Sequence, residues 1–506
     1  MPYRINAMST PSPQRLRSLL AFSVTLGMLG GCAAPTAQLA PRPPDTAWQP
    51  NASSKDFVLP PKPALAELIP TPGIDTLHPY SLAELIDLAQ RNHPATRIAW
   101  IAARNAATTT EIAQRSWLPR LSATVLAGAR HRQGEAGGQT LSVNSERNGH
   151  AAAGILSLQW LLFDFGEREA LAEGAGQEAI AAHIGFTAAH QQIIEAVSLA
   201  YYAHGAARTR VGVAQGALAN SRQVLEAAQA RFKQGIGTVL EVAHAQQAVA
   251  QAELARVQAH GRERDTYHSL IAAMGISPLT PLKLADAPEP RLGIADKEPI
   301  ERLVAAALAR RPDIQAAYAT LQTSRAGAKA TDAARMPKVF LAASASRSSG
   351  TNVTTFPGFG QDGPTLNLSG SGSGVGAFIG VTIPLWDGET RASMQLQAYQ
   401  RVEAAQARLD RVRQQAVQQI VVAQDALFTA LASVEAATQL RMASRVTQEA
   451  ASDAYRHGIG TVTAVTLAET QLLEAGQLLA DARAAAQSAA VTLALATGAL
   501  GSAPRP

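Results

Sequence analysis

The segment Arg231-Phe232-Lys233-Gln234-Gly235-Ile236-Gly237-Thr238 returns near the other end of the chain as Ala454-Tyr455-Arg456-His457-Gly458-Ile459-Gly460-Thr461. Each copy closes an alanine-rich helical stretch and opens a shorter one. Glycine supplies the left-handed residue that ends a helix, and threonine caps the helix that follows. The longer stretch, about 67 residues, would reach about 100 Å as a helix. No compact core needs such a length, so the chain must lay helices side by side. The apolar pattern agrees: Phe186, His190, Ile193, Val197, Ala200 and His204 begin a 4-3 spacing that continues to Phe232. Val465, Ala468, Leu472, Ala475 and Leu479 repeat it in the last helix. Many seam residues are alanine, which permits close approach. The two shorter helical stretches of each copy, about 24 and 37 residues, nearly sum to one long helix and predict an end-to-end stack beside it.

The duplication extends well beyond the turns. Pro94 lies over Pro312 and Pro119 over Pro337, both 218 apart, whereas Phe163-Asp164 over Trp386-Asp387, Phe232 over Tyr455 and Gly275 over Gly498 are 223 apart. The shift of five falls where both copies are polar and glycine-rich, as an insertion in a loop would. Two units of about 200 residues follow, each ordered helix, helix, strand, strand, long helix, shorter helix. Leu121, Ala123, Val125 and Ala127 alternate with Ser122, Thr124, Leu126 and Gly128 and predict one strand. Leu156, Leu158, Trp160 and Leu162 predict a second, Val339–Ser344 a third, and Val375, Ala377, Ile379, Val381, Ile383 and Leu385 a fourth. Residues 131–150 and 347–374 are expected to be loops.

The expected domains are a signal peptide over 1–31, a proline-rich tether over 32–79, a first repeat over 80–275, a linker over 276–299, a second repeat over 300–498 and a tail over 499–506. Arg15 and Arg17 precede the apolar run Leu19–Met28, which ends in Leu29-Gly30-Gly31-Cys32. The run is too short to span a membrane, and no later one is expected to be long enough. Cys32 is the single cysteine, so it forms no intramolecular disulfide. The Leu-Gly-Gly-Cys end resembles a bacterial lipobox, which implies acylation of Cys32. Ala33, in place of an aspartate retention signal, points to the outer membrane.

Net charge is +5 over 506 residues, with no basic block interleaved with aromatics, so nucleic acid is not an expected partner. Gly372-Ser373-Gly374-Val375-Gly376 precedes a strand, not a helix, and makes no phosphate cradle. The helical histidines are scattered without metal-ligand spacing. No nucleophile–base set is visible. Neither enzyme activity nor a metal or other cofactor is expected, apart from covalent lipid on Cys32.

Together, Leu162-Phe163-Asp164-Phe165-Gly166, Arg310-Arg311-Pro312-Asp313-Ile314, Met336-Pro337, Pro384-Leu385-Trp386-Asp387-Gly388 and the paired Gly-Ile-Gly-Thr turns resemble the TolC-like outer-membrane efflux proteins, lipoprotein branch. The resemblance covers about 80–500. It implies an α+β membrane fold: a coiled-coil tunnel of long helices with a transmembrane β-barrel completed by a homotrimer, four strands per chain. It further implies a passive conduit of a tripartite efflux system, lipid-anchored in a Gram-negative outer membrane and coupled through a periplasmic adaptor to an inner-membrane transporter. Phe232, Gly235, Gly237, Thr238, Tyr455, Gly458, Gly460 and Thr461 would be the adaptor-docking tips. Relatives carry aspartates just after the second tip, where this chain has Ala464 and Leu467, so an acidic aperture would rest on Glu241 and Glu469. A first-turn glutamate such as Glu241 also simply favours a helix N-terminus. Rival readings are a protein-secretion exit duct of the type I kind, a non-channel coiled-coil lipoprotein bridging envelope layers, and a periplasmic enzyme.

Overall fold

The computed structural model describes residues 62–65, 74–138, 141–285, 299–355 and 365–500. The chain divides into two units, residues 1–68 and 69–506. The described part of the first includes a single 3₁₀ turn, Pro63–Leu65. The expected signal peptide, Cys32, most of the tether, part of the linker and most of the tail lie outside the described residues.

The second unit runs β1 (Pro79–Tyr80), α1 (Leu82–Asn92), α2 (Pro94–Arg115), β2 (Arg120–Gly138), β3 (Leu141–Phe163), α3 (Glu167–Lys233), α4 (Val239–Ala273), β4 (Lys283–Leu284), α5 (Ile300–Arg310), α6 (Pro312–Ala333), β5 (Lys338–Thr355), β6 (Thr365–Thr382), α7 (Thr390–Arg456) and α8 (Val462–Ala496). Local chemistry explains the repeated joints. Ser81 and Glu84 form a reciprocal capping box that starts α1. Pro94 and Pro312 occupy the first turns of α2 and α6 and force the residues before them out of the helical region. His93 and Arg311 therefore share nearly the same backbone, φ −68, ψ 128 and φ −64, ψ 126. At the strand-to-helix joints, Phe165 and Gly166 are left-handed (φ 54 and 93), as are Gly388 and Glu389 (φ 66 and 65). The duplication thus persists in individual backbone angles.

β2, β3, β5 and β6 form one antiparallel sheet in that order, so β3 and β5 join the two copies. The strands are about twice as long as the sequence predicts. Residues 131–138 and 141–150 pair across the β2–β3 hairpin, and 347–355 with 365–373 across β5–β6, where loops were expected. Glycine, serine and charged residues have low intrinsic strand preference, but an established antiparallel ladder keeps satisfying backbone groups beyond the apolar stretch. The other two strands, β1 and β4, make a short parallel pair.

The long helices pack along their length as expected. α2 and α4 both lie on α3, and where they meet, Gly275 (φ 69) backs onto His93. A Cβ on Gly275 would fall 2.6 Å from His93 Cδ2. In the second copy Gly498 (φ 68) backs onto Arg310 in the same way, and Arg311 Nη1 donates to the Ala496 carbonyl at 2.8 Å. The predicted seam of α3 is buried at Ile193, Val197, His204, Ala207, Val211, Ala214, Leu218, Ser221 and Ala228. Leu85, Ala89, Leu270, Ile271 and Met274 complete its apolar cluster with Ile193, Val197 and Tyr201.

The two long helices differ in their surroundings. α3 packs on α2 and α4 of its own copy and on α6 and α8 of the other. Along its length α7 packs on α6 and α8, with little besides. Its far side shows Val422, Leu440, Met442 and Val446 to solvent. α7 also holds one stretch long and apolar enough, by length and composition, to cross a membrane. The expectation that no such run follows the signal is therefore corrected. The stretch qualifies by length and composition alone, and the buried positions of α7 are mostly alanine, among them Ala405, Ala416, Ala423 and Ala430.

Candidate functional site

The two tips are built alike. Gly235 (φ 79) and Gly458 (φ 82) are the left-handed residues that end α3 and α7. The Ile236 and Gly237 amides both donate to the Arg231 carbonyl at 3.1 Å, and the Ile459 and Gly460 amides to the Ala454 carbonyl at 3.0 Å. The second glycine of each pair is required for a different reason. A Cβ on Gly237 would lie 2.9 Å from the Phe232 amide nitrogen, and one on Gly460 2.9 Å from that of Tyr455. Thr238 Oγ1 accepts from the Glu241 amide and Thr461 Oγ1 from the Ala464 amide, both at 3.2 Å, capping α4 and α8.

The tips differ in what they show. Phe232 is 46% exposed, and Ile236, Val239 and Leu240 stand out beside it. In the second tip Ile459 is 86% exposed, but Tyr455 is only 2% exposed. Tyr455, expected at the docking surface, instead packs with Val224, Ala228, Ala245, Val462 and Val465, because α3 and α4 cover it. The Arg231 guanidinium lies 5.3 Å from its ring centre, linking the tips of the two copies. Burial, and next the charge of Glu241, push the Tyr455 hydroxyl above its usual range, while Arg231 pulls it down.

The two aperture candidates are placed differently. Glu241 opens α4 and is half-buried near Tyr455. Glu469 is 6% exposed and lies between helices. Asn220 of α3 donates to one of its oxygens at 3.1 Å and Gln448 of α7 to the other at 2.5 Å. Burial raises its carboxyl above the ordinary range, with both hydrogen bonds opposing the shift. Arg231, Asn220 and Gln448 were not legible as site residues. Asn220 stands 249 residues from Glu469, and no local pattern connects them.

At the other end of the helices, the sheet has two unlike faces. On one, Leu121, Val125, Leu156, Leu158, Trp160, Leu341, Val375, Ile379 and Val381 form an apolar band over the half nearest the helices. The opposite face carries Ser122, Thr124, Ser157, Ser344, Ser346, Gly374 and Gly376. Trp117, Trp160, Phe163 and Trp386 gather at the helical end of the band and remain exposed. An apolar strand face bounded by aromatics is the pattern of a lipid-facing sheet. Beneath it Arg168 is buried, its Nε 2.7 Å from Asp164 Oδ2, its Nη1 donating to the Leu161 carbonyl at 2.7 Å, and its guanidinium 4.3 Å from the Trp117 ring centre. Among the described residues no cluster could hold a metal ion.

The description "Outer membrane efflux protein" belongs to a family model that matches residues 85–276 and 303–499, one stretch for each copy of the duplication. Protein CyaE of Bordetella pertussis is 30% identical over 439 residues, which is 87% of this chain and 88% of that one. The pyoverdine export outer membrane protein OpmQ of Pseudomonas putida is 26% identical over 398 residues, 77% of this chain and 78% of its own. Among solved structures, CusC superposes with a TM-score of 0.66 at 19% identity, covering 82% of this chain and 92% of the other.

Proposed function

The chain belongs to the outer membrane efflux protein family of export channels, and from that premise we propose that three copies close into one conduit. The observation that carries this reading is the open sheet. β2 and β6 each leave an unpaired edge of about 18 residues. An exposed edge of that length invites pairing with another chain, and four strands are too few to close a barrel. A head-to-tail contact, β6 of one chain against β2 of the next, removes every edge if the ring closes. The same rotation would bring α2 and α4 of the next chain against the open side of α7. That arrangement gives α7 the kind of neighbours that α3 already has. Apolar residues wait on both surfaces, Val422 and Val446 on α7, and Ile98, Ile112, Leu254 and Val257 on α2 and α4.

In this reading twelve strands form the outer-membrane barrel and the helices a periplasmic duct. Cargo passes without chemistry, driven by an inner-membrane transporter. The exposed tip residues Phe232, Ile236 and Ile459, on the frames made by Gly235, Gly237, Thr238, Gly458, Gly460 and Thr461, take the helical hairpins of a periplasmic adaptor. Tyr455 supports that surface from inside. Glu469, bonded to Asn220 and Gln448, then acts in holding the two hairpins together near the aperture, and Glu241 keeps a negative charge beside Tyr455. Cys32 carries the lipid anchor, which the mass of the N-terminal peptide of mature protein tests directly.

Electron microscopy of detergent-purified particles tests the assembly. Threefold particles with a tubular helical part, about 100 Å long from 67-residue helices, are expected. A folded, stable monomer would overturn the conduit.

A further inference from the structure

We propose that Arg130, Arg132 and Arg147 form a basic ring inside the outer part of the barrel, which selects cargo bearing carboxylate or phosphate groups. The inference rests on the trimeric conduit. Strand register carries it. Arg132 of β2 stands directly opposite Arg147 of β3, and Arg130 lies two residues away opposite Gly149. All three therefore share the face of Ser122, Thr124 and Ser157, opposite the apolar band. They line one concavity with Asn352, Leu368 and Gly370.

Two features separate this cluster from an ordinary charged surface. Like charges placed directly across an antiparallel pair disfavour folding, and Gly149 and Gly370 offer no side chain to shield them. The wider face is also one-signed. Arg120 adds another cation at the helical end, where Lys338 is already paired with Glu167 of α3, and no acid occurs among the described strand side chains of that face. Glu146 points to the other face, where it approaches His131. Three chains would place nine arginines about 33–40 Å along the strands from the helical end, 10 to 12 residues beyond Arg120. Arginine forks match carboxylate and phosphate oxygens, and rings of cationic side chains favour anions in pores. Repeated weak contacts at one level assist transit, because no single site holds the cargo.

The full-length protein in a planar bilayer, under a potassium chloride gradient, reads this charge as a reversal potential. Chloride preference is expected, and the R130Q/R132Q/R147Q variant should lose most of it, with the permeability ratio falling several-fold. R347Q, on the opposite face, should leave it unchanged and controls for perturbation of the barrel. Potassium preference in the unaltered protein, or an unchanged ratio in a triple variant that still forms threefold particles, overturns the inference alone. Threefold particles that pass no current overturn the conduit reading and this inference with it.

Discussion

Replacing Gly237 by alanine places a Cβ 2.9 Å from the Phe232 amide nitrogen, 3.0 Å from the Arg231 carbonyl carbon and 3.1 Å from Arg231 Cβ. Two of these are backbone atoms at the end of a 67-residue helix, so they yield only if the turn opens. Overpacking of this kind costs about 1–3 kcal/mol. Opening also weakens the bonds from the Ile236 and Gly237 amides to the Arg231 carbonyl, each worth about 1 kcal/mol. A local loss of about 3 kcal/mol raises the open population of the tip roughly hundredfold. Hydrogen exchange across peptides spanning 228–245 measures it, and the rest of α3 should keep its protection. Gly460→Ala meets the same distances at Tyr455 and Ala454 and should loosen the second tip equally. Gly216→Ala is the control, since its Cβ meets nothing within 4 Å and alanine favours a helix by about 0.5–1 kcal/mol. Unchanged exchange at the tip in Gly237→Ala would refute the close-approach reasoning.

Two further perturbations test the buried polar groups. The Glu469 carboxyl is raised by burial, so its neutral form favours the folded state; tip stability should fall as pH climbs from about 4.5 through the raised value. Glu469→Gln should flatten that slope in pH-dependent exchange of the tip peptides, and an unchanged slope would assign the dependence elsewhere. Asp164→Ala strips the partner from buried Arg168 and should cost about 3–5 kcal/mol in thermal unfolding. Asp387→Ala, at the matching place in the second copy, breaks a 3.5 Å, more exposed pair and should cost about 1 kcal/mol, largely through lost capping of α7. Equal losses would show that the two joints are not energetically distinct.

The sequence by itself determined the duplication, the helix lengths, the turn chemistry and the apolar half of each strand. These follow from local rules: proline at a helix start, glycine with positive φ at its end, threonine as a cap, and alternation on a strand. The seam of α3 was legible because a 4-3 pattern along one helix reports burial without knowledge of the partner. Only the tertiary structure decided how far the strands run, since residues 141–150 pair through backbone groups that any side chain can accompany. It also separated Phe232 from Tyr455, which hold matching places in the repeat. Duplication copies a residue's position in its own helix, but not which helices lie over it. Glu469 makes the same point. Its surroundings come from Asn220 and Gln448 on two other helices, and the order of residues along one helix carries no record of what packs across it.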